Sequence, residues 1–231
     1  MTRYLIVQHE AEAPAGWLAE RWSQQGIELD VVRPDLGEAI PETLKHDALI
    51  VLGGAMNANG DEHYPWLAPT RDLLRTAVAH GTPTLGVCLG HQLLAVALGG
   101  EVIVNPRGRV VGLVPLSLNA DGDEDPLLAG LSGREVVHYN GDVVSRLPEG
   151  ATVLATSPDG SPQAVLYGPR AWGVQFHPET TPEVFKDWMA TFQPEGDEPE
   201  DGAQTWLAEV ESRRDSLQAT GYAVADAFAR A

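Results

Sequence analysis

The chain of 231 residues carries a single cysteine, Cys88. That excludes an internal disulfide and any zinc or iron–sulfur centre built from several thiolates. Aromatic residues are few, at 6%, and the longest apolar runs, 48–52 and 93–98, fall far short of the roughly 18 residues a membrane span needs. A transmembrane helix is therefore not expected. Positive charge is also scarce: 15 Lys and Arg stand against 33 Asp and Glu, a formal net charge of -18. Such a surface repels a phosphate backbone, and no basic patch offsets it, so nucleic acid is not an expected partner. The first residues enter a strand-like stretch without a basic start, long apolar region or cleavage site, which predicts a cytoplasmic protein. No G-x-x-x-x-G-K-[ST] loop is present to cradle a nucleotide phosphate.

What is there alternates. Short apolar runs at 4–7, 27–32, 47–52 and 84–87 are interleaved with helical patterns at 17–25, from Pro65-Trp66 to Gly81, and at 89–98. Alternation of this kind predicts a mostly parallel sheet with helices on both faces and ligands beyond the carboxyl ends of its strands. Both Gly53-Gly54 and Cys88 fall at such ends. The second half changes character. Strand candidates at 101–104, 110–118, 135–139, 152–156, 163–166 and 171–175 are separated by Gly, Pro and Asp, and are expected to form one extended, partly antiparallel sheet region of the same domain. A helix is expected around 181–191. The domain is bounded at 1–192, followed by an acidic, solvated connector over 193–202 and a C-terminal helix over 203–231 packed on the same domain. In that helix Trp206, Val210, Leu217, Val224 and Phe228 recur on one face.

Cys88 lies in Thr84-Leu85-Gly86-Val87-Cys88-Leu89-Gly90-His91-Gln92, a strand, a sharp turn and a helix start with glycine two residues away on each side. This is a cysteine version of the nucleophile elbow, in which a β-carbon at either glycine would crowd the adjoining strand and helix. The unsatisfied N–H groups of a helix N-terminus favour an anion there, and a thiolate is a nucleophile. The base to serve it is His177, in Gln175-Phe176-His177-Pro178-Glu179, also just past a strand end. Glu179 can turn back onto the imidazole, fix its tautomer and stabilise the imidazolium. His91, near Cys88, supplies at most a second ligand of a C-x-x-H pair and no third converges, so no metal is expected.

The blocks Val87-Cys88-Leu89-Gly90-His91-Gln92 and Gln175-Phe176-His177-Pro178-Glu179 resemble those of the class I (triad) glutamine amidotransferases. The likeness extends to 51–56, 64–67, 97–100 and 125–128, and is closest to the stand-alone group related to GMP synthase glutaminase domains. It implies a flavodoxin-like three-layer α/β sandwich whose central, mostly parallel sheet carries an antiparallel extension. It also implies the triad Cys88, His177 and Glu179, attack on a glutamine side-chain amide, a γ-glutamyl thioester and release of ammonia, without a cofactor. With the elbow geometry, the resemblance assigns the oxyanion donors to the N–H groups of Leu89 and of the 53–55 turn, with Gly54 as the chosen member. Gln92, Tyr139 and Asn140 are the implied substrate contacts. Two positions depart from the pattern: Asn140 stands where a histidine usually precedes Gly-Asp, and Ala55 where proline usually follows the glycine pair. The first bears on the substrate's α-amino end; the second is expected to slow the chemistry.

Three functions follow. The chain is a glutaminase that passes ammonia to an acceptor on a synthetase partner, since it is too short to carry a synthetase domain itself. Or it is a free-standing hydrolase of L-glutamine or another γ-glutamyl compound. Or it is a non-catalytic binding module on the same fold.

Overall fold

A computed structural model describes residues 1–157, 160–196 and 198–231. The first half builds β1 (Arg3–Val7), α1 (Gly16–Gln24), β2 (Glu28–Val32), β3 (Ala48–Val51), α2 (Leu67–Ala79), β4 (Thr84–Val87) and α3 (Leu89–Ala97). The second adds β5 (Glu101–Val104), β6 (Val110–Pro115), α4 (Ala120–Glu124), β7 (Glu135–Asn140), β8 (Asp142–Arg146), β9 (Thr152–Thr156), β10 (Pro162–Gly168), β11 (Ala171–Val174), α5 (Pro182–Ala190), α6 (Gly202–Ser212) and α7 (Arg214–Phe228). The main sheet has seven strands in the order β2-β1-β3-β4-β11-β10-β9. Its first five are parallel, while β10 and β9 run antiparallel at one edge. The fold is therefore the expected α/β sandwich with an antiparallel extension.

Why both faces are covered follows from strand periodicity, since alternate side chains point to opposite sides. Tyr4, Ile6, Ala48, Ile50, Leu85 and Trp172 face Leu18 and Trp22 of α1 and Val224 and Phe228 of α7. Leu5, Val7, Leu49 and Val51 face Leu67 and Leu74 of α2 and Leu93 and Leu94 of α3. Asp125, part of the run 125–128, is a structural clamp: its carboxylate accepts the N–H groups of Leu127 and Leu128 at 2.9 and 3.2 Å and the Trp172 indole at 3.0 Å. No helix among the described residues is long and apolar enough to cross a membrane.

The second half does not form one sheet region. Only β9 and β10 join the main sheet; β5 pairs with β8, and β6 with β7, as separate ladders. The cause lies at Gly141, the sole residue between β7 and β8. One residue is too short for a hairpin, which needs at least two, so the chain bends there and each strand takes a different partner. Residues 120–124 form α4, capped by the Asn119 side chain accepting the Gly122 N–H at 2.9 Å, instead of loop.

Nor is the C-terminal segment one helix. It breaks at Arg213 into α6 and α7 because its apolar residues serve two surfaces. Val210 and Trp206 pack on the β6–β7 ladder and α5, whereas Val224 and Phe228 cover the main sheet. Gly112, at φ +98, admits Trp206: a β-carbon there would meet the indole at 2.7 Å. The stretch 193–202 is less solvated than its composition predicts, since Glu198 is bound side-on to Arg109 with its side chain only 15% exposed.

Tight chain crossing makes a prediction. A β-carbon at Gly90 would lie 1.9 Å from the Val51 carbonyl oxygen, with no side chain to yield. Gly90→Ala should cost more than about 2 kcal/mol in urea denaturation. Gly26→Ala, where φ is +76 but space is open, should cost about 1 kcal/mol; equal losses would contradict the crossing.

Candidate active site

Cys88 joins β4 to α3 with φ 50 and ψ -105, the one non-glycine among the described residues at positive φ. Such a backbone costs on the order of 1–3 kcal/mol and persists only where its surroundings over-determine it. They do so on every side. The Cys88 N–H donates to the Val174 carbonyl at 2.8 Å, the Gly90 N–H to Leu52 at 3.1 Å, and the Gln92 N–H to the Cys88 carbonyl at 3.0 Å. Gly86 and Gly90 are in near contact, since a β-carbon on Gly86 would sit 2.5 Å from the Gly90 carbonyl oxygen. The sulfur is thereby carried off the end of the sheet.

His177 follows β11, the strand next to β4, and its N–H donates to the Val137 carbonyl at 2.8 Å. Its Nδ1 is 2.7 Å from Glu179 Oε1, and both side chains are almost fully buried. Nε2 is the ring nitrogen left for Cys88 and substrate. Both side chains converge on Gly53: a β-carbon there would lie 3.0 Å from His177 Cε1 and 3.5 Å from Cys88 Cβ. The Trp188 ring closes the other side of the imidazole, edge-on at 4.8 Å between centroids. Burial alone would lower the His177 pKa. The charges on Glu179 and Cys88, with hydrogen bonds to both, outweigh it and hold the imidazole up to about 10. His91 differs, being fully buried, 3.2 Å from the Tyr167 hydroxyl and pushed down to about 3 by desolvation. It is a neutral packing residue.

Around Cys88 and His177 opens a cavity of about 460 Å³, lined among others by Glu10, Gly54, Gln92, Arg109, Tyr139, Asn140, Asp142 and Trp188. The Leu89 N–H lies at the first position of α3, ahead of the first intrahelical bond, and points as helix N-terminal donors do toward an incoming anion. Within the 53–55 turn, the Ala55 N–H already donates to Glu10 Oε1 at 3.1 Å, which leaves Gly54 as the donor that the turn can offer. Gln92 lines the cavity, but its amide nitrogen is committed to the Asp142 carbonyl at 3.1 Å and Gln175 Oε1 at 3.3 Å. Asn140 likewise donates to the Asp142 carbonyl, at 3.1 Å, and its Oδ1 is 3.2 Å from His138 Nδ1. These two amides therefore brace the 141–142 bend as well as facing the cavity. Tyr139 stacks on Trp188 at 5.8 Å and 28°.

A nucleophile, an imidazolium oriented by a buried carboxylate, and helix N-terminal donors around one cavity match acyl transfer from an amide or ester. Residues 15–192 match the glutamine amidotransferase class-I family. The chain belongs to that family. As a class I glutamine amidotransferase, it is 32% identical over 198 residues to the glutamine amidotransferase-like protein YfeJ of Salmonella typhimurium, covering 84% of this chain and 82% of that one. It is also 32% identical over 171 residues to one subunit of the glutamine-hydrolyzing GMP synthase of Sulfolobus acidocaldarius, covering 71% and 85% of the two chains. In three dimensions it superposes on a glutamine amidotransferase from Methylobacillus flagellatus with a TM-score of 0.89 and 26% identity, over 100% of this chain and 95% of that one.

Four lining residues carry no signal in the sequence: Glu10, Asn57, Arg109 and Trp188. Glu10 and Trp188 come from segments with only loop and helix character, and Arg109 from the start of a strand; nothing local marks them. Ala55 gives the one available hint, because an alanine can donate the N–H that a proline lacks, and Glu10 accepts it.

The His177–Glu179 pair has a pH signature. With the folded pKa raised from 6.5 to about 10, the pair's stabilisation is complete below about pH 6.5 and is lost as pH rises through about 10. Urea midpoints measured across that window should fall, and Glu179→Gln should flatten the fall by removing the charge. An unchanged slope in the variant would show that Glu179 does not hold the proton.

Proposed function

We propose that this class I glutamine amidotransferase hydrolyses the side-chain amide of L-glutamine through a covalent intermediate on Cys88. The Cys88 thiolate attacks the amide carbon. The oxyanion that forms is met by the N–H groups of Leu89 and Gly54, and the His177 imidazolium gives its Nε2 proton to the leaving nitrogen. Ammonia departs and a γ-glutamyl thioester remains. Water, deprotonated by the now neutral His177, attacks the thioester; glutamate leaves, and thiolate and imidazolium are restored. Glu179 stays ionised throughout and fixes the tautomer. Gln92, Tyr139 and Asn140 shape the end that receives the amino-acid portion. The observation that carries this reading is the buried 2.7 Å contact between His177 Nδ1 and Glu179 beside the elbow cysteine.

Ammonia has two destinations. The likeness to a separately encoded chain of a GMP synthase supports an acceptor on a synthetase partner. A cavity of about 460 Å³ falls in the range that accommodates drug-sized ligands, which is generous for glutamine. That supports the second reading, a free-standing hydrolase of larger γ-glutamyl amides.

Glutamate and ammonia release from L-glutamine by the purified chain tests the first reading. Cys88→Ala should lower kcat by about 10⁴-fold or more, and Glu179→Ala should be about ten- to a hundredfold less damaging than His177→Ala. Equal turnover by wild type and Cys88→Ala would overturn the mechanism. Turnover confined to γ-glutamyl amides larger than glutamine would select the second reading.

A further inference from the structure

Cavity charge carries a further inference. Among the described residues lining the cavity, Arg109 is the only Lys or Arg, while Glu10 and Asp142 contribute carboxylates. Arg109 precedes β6, and its guanidinium is fixed rather than free. It lies over the Phe192 ring at 4.6 Å and the Tyr139 ring at 5.7 Å from the centroids. Nε and Nη2 fork onto Glu198 at 3.0 and 2.5 Å, and Nη2 also donates to the Gln193 carbonyl at 2.8 Å. Nη1 is held differently: its contact is Glu195 Oε1 at 3.7 Å, beyond hydrogen-bond reach, from a side chain 73% exposed. One edge of the guanidinium is thus anchored by the acidic stretch, and the other remains available to a carboxylate.

Resting on the glutaminase reading above, we infer that Arg109 selects substrates with a free α-carboxylate, which it binds through Nη1. Glu198 is its positioning residue. Glu10 and Asp142 complete the recognition by favouring the α-ammonium, so the cavity takes the zwitterionic end of an unblocked γ-glutamyl compound. A planar guanidinium suits a carboxylate better than a lysine would.

The test compares L-glutamine with L-glutaminamide, which lacks the α-carboxylate charge, by following glutamate and isoglutamine formation. Arg109→Gln should raise KM for L-glutamine about ten- to a hundredfold with kcat little changed, and leave L-glutaminamide unaffected. Glu198→Gln should raise KM for L-glutamine by less. If wild type binds without turnover, the protection of Cys88 from iodoacetamide by L-glutamine makes the same comparison. Equal losses on both substrates, or no change on L-glutamine, would overturn the role of Arg109 while leaving the glutaminase reading intact. Neither turnover nor protection in wild type would overturn both.

Discussion

Everything at the site depends on how closely three chain segments approach one another around Cys88. The end of β3, the end of β4 and the start of α3 meet with no room for a β-carbon at Gly86 or Gly90. That crossing fixes the cysteine at φ 50, aims its sulfur beyond the sheet and places the first N–H of α3 beside it. Gly53 extends the same constraint across the gap, because its missing side chain is what lets Cys88 and His177 converge. Nucleophile, donor and base are thus positioned by backbone packing, the least adjustable part of a protein interior.

Electrostatics completes what packing begins. Glu179 is 1% exposed, and a carboxylate buried so deeply is costly unless a partner cation is equally buried. His177 is that partner, and the pair persists because each group prevents the other from being an isolated charge. The same principle recurs at Arg109 and Glu198, a largely buried pair in a chain whose charge is -18. Acidity that repels polyanions at the surface is turned, at this one place, into a tether for the cation in the cavity.

Local patterns make much of this legible. The elbow is a strand, a turn and a helix within nine residues, and the His-Pro-Glu run lies past the neighbouring strand, so spacing alone reveals both. Parallel alternation likewise exposes the main sheet through apolar runs such as 48–52. Non-local choices stay hidden. Whether β7 and β8 share a partner depends on the bend at Gly141, and whether residues 203–231 form one helix or two depends on the separate surfaces that Val210 and Phe228 cover. Glu10 and Arg109 are hidden for the same reason: their meaning comes from partners 45 and 89 residues away.

The central claim is that Cys88 forms an acyl bond with the γ-carbonyl of its substrate. Acid quenching of the chain during exposure to isotopically labelled L-glutamine, followed by peptide mass spectrometry, tests it most directly. The account predicts a labelled γ-glutamyl adduct on the peptide containing Cys88, accumulating further in a variant whose water-activating step is impaired. Glutamine hydrolysis that proceeds with no adduct on Cys88, or with an adduct on another residue, would contradict it.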